Sequence, residues 1–145
     1  MEGRTEMTTK IRADISQRNP YWLERHRYYE LKHFCLQYPY WKKMYRYLDG
    51  YAKRHDSSSK MPSVGDRCRP TERTSEMLIF YSTRMEMVDR IAAQASDELA
   101  DYILEAVTQG FSYEDLLARH AIPCGRDMYY TAYRRFFWLL SQERQ

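Results

Sequence analysis

Glycine and proline are scarce, five of each in 145 residues. All-β folds draw their tight turns largely from these two residue types, so the composition argues against a sandwich or barrel. A hydrophobic fraction of 43% beside 30% charged residues equally excludes wholesale disorder. No apolar run reaches the roughly 18 residues that a membrane-spanning helix needs. The opening MEGRTEMTTK also lacks the apolar stretch of a secretory signal, so a soluble, cytoplasmic protein without membrane contact is expected. Cysteine is limited to Cys35, Cys68 and Cys124, odd in number and never in a CxxC pair, which argues against a disulfide framework or a zinc knuckle and for reduced thiols.

Catalytic signatures are missing as well. There is no Gly-rich phosphate loop, no GxSxG, no HExxH and no set of carboxylates at metal-ligand spacing. His33 with Cys35 and His120 with Cys124 are neighbours, but a metal site or an activated nucleophile needs partners that neither pair has nearby. The expectation is therefore no enzyme, no cofactor and no metal. A chain of this length suits one compact domain or two small helical modules.

What is abundant is aromatic side chain: 15% of the residues, with 14 tyrosines, interleaved with bases in RHRYYELKHF and YPYWKKMYRY. The formal net charge of +3 averages unlike pieces. Residues 1–75 carry 16 bases against 9 acids, and residues 76–145 carry 7 against 11. Within the second part nine acids from Glu76 to Asp115 face only Arg84 and Arg90, whereas five arginines from Arg119 onward face Asp127 and Glu143. An acidic middle thus separates two basic ends, a segregation that a nucleic-acid-binding surface requires and that local charge fluctuation also produces.

Asn19-Pro20 reads as a helix start, Asn capping and Pro in the first turn. The stripe Leu23, Arg27, Leu31, Phe34, Cys35, Tyr38 comes next at steps of three and four, and Pro39 closes it. A second stripe of Trp41, Met44, Tyr45 and Leu48 ends at Asp49-Gly50, which reads as a C-terminal cap. Residues 1–18 are expected to be flexible, 19–54 to form a basic, aromatic helical hairpin, 55–70 to be a linker, and 71–145 to hold a long helix plus a helix-turn-helix. The long helix carries Leu78, Tyr81, Met85, Val88, Ala92 and Ala95 in a heptad-like seam, open to homodimerisation or to burial within one chain. Ser96-Asp97 reads as the cap of a further helix that ends at Gly110 and exposes Asp97, Glu98, Asp101 and Glu105. Ser112 and Asp115 form an acidic variant of the capping box, with Phe111 placed to staple onto Leu116. A short helix to about Arg119, a turn over His120–Pro123 with Ile122 as an apolar plug, and a basic helix from about Gly125 to Ser141 complete a trihelical helix-turn-helix. The fold class expected is all-α.

In that arrangement the last helix is the recognition helix, with Met128, Ala132, Phe136, Leu139 and Leu140 inward. Arg126, Tyr129, Tyr130, Tyr133, Arg134 and Arg135 lie off that stripe as DNA-contacting candidates, Arg126 for a base edge and Arg134 for phosphate. The competing reading packs the tyrosines on neighbouring helices. Arg25, Arg27, Lys32, Lys42, Lys43 and Arg46 form a secondary basic surface suited to phosphates, stacked bases or a protein partner, or are a solvated face whose aromatics turn inward.

The strings RPTERTSEML and DELADYILEAVTQGFSYEDLLARHAIPCGRDMYYTAYRRFFWLL resemble the C-terminal part of the RinA/ArpU-type transcriptional regulators of phages and integrated elements of Gram-positive bacteria, and region four of sigma factors. The resemblance covers roughly Pro70 to Leu140. It implies a phage or mobile-element protein, in the bacterial cytoplasm, that binds double-stranded DNA and modulates transcription. It places Arg126, Asp127, Tyr129 and Tyr130 early in the recognition helix, and Arg134 and Arg135 later. The Pro123-Cys124-Gly125 turn departs from the pattern, lacking a Ser or Thr cap. The alternative function is a small interaction module that binds and modulates a host machine, RNA polymerase or a nucleic-acid-guided defence nuclease of the CRISPR-Cas kind.

Overall fold

The computed structural model describes residues 18–57 and 68–144, and the side chains of 18–54 and 72–144. The expected flexible N-terminus falls, except for Arg18, outside the described residues, as does the middle of the expected linker. Six helices stand among the described residues and no strand: α1 (Arg25–Leu36), α2 (Tyr38–Ser57), α3 (Cys68–Ala95), α4 (Ala100–Gln109), α5 (Tyr113–His120) and α6 (Arg126–Glu143). The all-α expectation holds.

The helices form two compact units, divided elsewhere than the sequence suggested. One gathers the described residues through Gln37 with those from Val88 onward; the other is Tyr38–Met87. The expected hairpin is thus cut at its elbow, because α1 packs against α4 and α6. Amphipathic spacing shows that α1 has an apolar face and leaves open which helix covers it.

In the first unit, Asn19 does cap: its side chain accepts from Tyr21 N–H at 2.8 Å. It closes only a turn, however, and α1 begins six residues later with Glu24 as N-cap, accepting from His26 and Arg27 N–H. Leu31, Phe34 and Cys35 of α1 are buried with Ile91 and Ala92 of α3, Ile103 and Val107 of α4, Leu116 of α5, and Phe136, Phe137 and Leu140 of α6. Each of the Leu, Ile, Val and Phe side chains among them contributes about 1.5–3 kcal/mol of burial. Arg90 of α3 and Glu143 of α6 form an ion pair at 3.2 Å.

Chain punctuation is well obeyed around α4 and α5. Ser96 Oγ accepts from Leu99 N–H at 3.2 Å, although α4 itself starts at Ala100 without a side-chain cap. Gly110 ends α4 at φ 79°, and its N–H and that of Phe111 both donate to Ala106 C=O. This left-handed geometry favours glycine. The capping box is complete: Asp115 N–H donates to Ser112 Oγ at 3.1 Å and Ser112 N–H to Asp115 Oδ2 at 2.9 Å. Phe111 is covered by the Arg119 guanidinium, 4.5 Å from its ring centroid.

The second unit comprises α2 and the first part of α3. Trp41 and Tyr81 are buried, Tyr38 lies 6.3 Å from Trp41 and Tyr40 meets Tyr81 edge-on at 6.2 Å. Gly50 does not cap: α2 continues through it to Ser57, supported by the Lys53–Asp49 pair at 3.2 Å. An interior glycine costs only about 1 kcal/mol against alanine, so its presence alone does not stop a helix. Helix also occupies both ends of the expected linker, at 55–57 and 68–70.

Candidate nucleic-acid interface

The order helix, turn, helix expected near the C-terminus is present as α5, residues 121–125 and α6. Three features hold the turn. Ala121 adopts φ 50° and donates its N–H to Leu117 C=O. Ile122 is buried, as its role of plug requires. Tyr113, one residue after the α5 cap, donates its hydroxyl to Cys124 C=O at 2.7 Å, which ties the start of one helix to the start of the next. This last contact was missed at the sequence level, because an aromatic at the first helical position gives no sign of a polar target eleven residues on. α6 opens at Gly125 with no side-chain cap, as the departure at Pro123-Cys124-Gly125 implied.

The buried stripe of α6 is Tyr129, Ala132, Phe136, Phe137 and Leu140, one residue out of phase with expectation at its start. Met128 is 54% exposed and Tyr129 0%. Positions 128 and 129 both lie one turn from Ala132, so spacing alone does not choose between them. Tyr129 fills the core because its ring meets Tyr113, Tyr130 and Tyr133, at 5.6, 5.0 and 5.9 Å. It therefore cannot touch DNA, whereas Tyr133 is half-buried, with its hydroxyl paired with Tyr28 at 2.9 Å and its ring against Phe137. Burial pushes both hydroxyls well above their ordinary pKa, with neighbouring tyrosine hydroxyls adding to the rise. Tyr130 is half-buried.

What α6 presents outward near its start is Arg126, Asp127, Met128 and Thr131, with half-buried Arg134 and Arg135 further along. Arg126 pairs with Glu114 of α5, both side chains about half exposed. Arg135 donates to Tyr21 Oη at 3.2 Å. Leu139, expected inward, is half-buried.

The residues of the secondary basic surface belong to both units. Arg27 is structural: its guanidinium donates to Ser141 Oγ at 3.2 Å, to Ser141 C=O at 3.1 Å and to Arg144 C=O. It thereby satisfies carbonyls that the end of α6 leaves without intrahelical partners. Arg25 is exposed and Lys32 half-buried in the first unit, whereas Lys42, Lys43 and Arg46 lie on α2 of the second, all three exposed. Trp41 is core, and Trp22 is half-buried. Of the α3 seam, Tyr81, Val88, Ala92 and Ala95 are buried within the chain and Leu78 and Met85 are half-buried.

No protein-family model, no curated protein and no solved structure matches this chain. Among the described residues no group of three or more His, Cys, Asp or Glu side chains could hold a metal, and no helix is long and apolar enough to cross a membrane. Cys35 and Cys124 carry free thiols, both raised in pKa chiefly by burial, the second further by Glu98.

Proposed function

We propose that this protein is a DNA-binding transcriptional regulator of the RinA/ArpU type that reads duplex DNA with α6. The observation that carries the proposal is the α5–turn–α6 arrangement, locked by the capping box, the Ile122 plug and the Tyr113–Cys124 bond. It leaves the first two turns of α6 outward while the opposite side closes on the core. Arg126 and Arg134 are the contacting residues of first choice. The Arg126–Glu114 pair is no obstacle, since an exposed ion pair is worth about 0–1 kcal/mol and exchanges readily for a phosphate or a guanine edge.

The test is fluorescence anisotropy of a labelled duplex and a labelled single strand at two salt concentrations. The full chain should bind duplex more weakly at the higher salt, and Arg126→Ala with Arg134→Ala should weaken binding by roughly tenfold or more and flatten the salt dependence. Absence of duplex binding at low salt, or binding indifferent to the double substitution, would overturn the reading.

The alternative reading, an interaction module for a host machine such as RNA polymerase or a guided nuclease, draws on a different observation. Ile79 and Phe80 of α3 are 64% and 42% exposed, with the Arg84 guanidinium 3.6 Å from the Phe80 ring centroid. Exposed apolar and aromatic side chains next to arginine are typical interface anchors. A complex with polymerase that survives nuclease treatment and is lost in Ile79→Asp would favour it.

A further inference from the structure

The outward face of α2, in the second unit, is built largely of rings and cations. From Tyr38 to Arg54 the helix holds five Lys and Arg against one acid, Asp49, which pairs with Lys53 at 3.2 Å. Trp41 is buried, and Tyr38, Tyr45 and Leu48 are half-buried with it on the inner stripe. Away from that stripe, Tyr40, Lys43 and Tyr47 recur at steps of three and four, which sets two rings in one row with an ammonium between them. The two tyrosines are 55% and 62% exposed. Tyr40 touches Tyr81 edge-on, and Tyr47 meets no other ring among the described residues. Lys42, Lys43 and Arg46 are exposed as well, and none of them enters an ion pair among the described residues.

We infer that this face of α2 binds single-stranded DNA, with bases stacked on Tyr40 and Tyr47 and phosphates drawn by Lys42, Lys43 and Arg46. Every base has a π-face, so rings set among cations hold a single strand without reading its sequence. The step from Tyr40 to Tyr47 covers roughly 10 Å of helix, a length that a few nucleotides span. A duplex does not suit the surface, because its bases are stacked on one another and offer no free face to a tyrosine. A protein partner suits it less than a polyanion does, since lysine is depleted at protein interfaces and three unpaired cations here lack a complementary acid. The choice of DNA over RNA rests on composition. Between Tyr38 and Arg54 there is no Ser, Thr, Asn or Gln, so the face has no neutral polar side chain beyond tyrosine to meet the 2′-hydroxyl by which RNA is distinguished.

The surface belongs to the second unit, and the inference does not depend on what α6 binds. The experiment is fluorescence anisotropy of the full chain with a labelled oligo(dT) of about 15 nucleotides, beside an oligo(rU) of equal length. Wild type should bind oligo(dT) saturably at low salt and more tightly than oligo(rU). Tyr47→Ala, at a position without a ring partner, should weaken binding by about fivefold or more, and Tyr40→Ala with Tyr47→Ala by about tenfold or more. Tyr40→Phe with Tyr47→Phe should retain wild-type affinity, because the ring carries the contact. Lys43→Gln with Arg46→Gln should reduce the slope of log affinity against log salt by roughly 1. Arg126→Ala with Arg134→Ala should leave oligo(dT) affinity unchanged, which separates this face from α6. No saturable binding by the folded wild type, affinity unchanged in both alanine variants, tighter binding of oligo(rU), or displacement by polyglutamate as readily as by unlabelled oligo(dT) would overturn the inference.

Discussion

Met128 and Tyr129 exchange the places that helical spacing suggests, and their substitutions should behave accordingly. Met128→Ala should change stability by no more than about 0.5 kcal/mol, where a core methionine would cost about 2–5 kcal/mol. Tyr129→Phe, which removes a buried hydroxyl lacking a partner, should raise stability by about 1 kcal/mol, read as an increase in urea midpoint at constant slope. A cost above about 2 kcal/mol for either would contradict the packing described. Ala121 offers a second contrast. An alanine at φ 50° sits where L-residues pay roughly 1–2 kcal/mol, partly offset by the greater freedom a glycine has when unfolded. Ala121→Gly should therefore stabilise the chain by about 0.5 kcal/mol in thermal melts. At this scale the sequence was readable where a residue acts on its own neighbours, as Ser112, Gly110 and Ile122 do. It was unreadable where a side chain is claimed by a distant partner: Arg27 looks like one more surface base until the end of α6 comes to rest on it.

Among the elements, the α5–α6 turn is held in part by one side-chain bond. Tyr113→Phe keeps the ring against Tyr129 and deletes the donor to Cys124 C=O, so it should cost about 1 kcal/mol and speed amide hydrogen exchange over the turn and the first turn of α6. If α6 reads DNA, duplex affinity should fall with it, although Tyr113 touches no DNA. Exchange rates indistinguishable from wild type would show that Ile122 alone fixes the turn. Helix existence was legible because periodicity and caps are local signals: the five segments from residue 38 onward that spacing marked as helical are helices. Ends were less legible. Asn19-Pro20 has the chemistry of a helix start yet supports only a turn, and Asp49-Gly50 has that of a stop yet is overrun, since tertiary packing outweighs the roughly 1 kcal/mol that either signal carries.

The whole molecule should respond to alkali in a characteristic way. The hydroxyls of Tyr129 and Tyr133 have folded pKa values raised above the ordinary 10, because burial opposes the phenolate. Below pH 10 both states hold these protons and stability is independent of them; above it the unfolded chain releases them first, binds fewer protons than the folded one, and stability falls. Denaturant melts should lose free energy with rising pH from about pH 10, and phenolate absorbance should show a late fraction of tyrosines titrating together with unfolding. Titration of all 14 tyrosines before any loss of structure would refute this. The division into units was the least legible feature at this scale. Composition placed a boundary in the polar stretch after residue 54, whereas α1 packs on α4 and α6 and belongs to their unit.

The Arg27 clamp on the last turn of α6 joins positions 114 and 117 residues apart, and the whole stretch Tyr38–Met87 lies between the two parts of the unit it closes. On the ribosome, α1 therefore emerges long before the helices that cover it are made. Its apolar face must wait through the synthesis of the stretch Tyr38–Met87. The first unit can mature only once α6 is made, so a chain stalled or cleaved before α6 exposes Leu31, Phe34 and Cys35 to quality control. Accumulation of the protein in a cell is thereby tied to completion of α6.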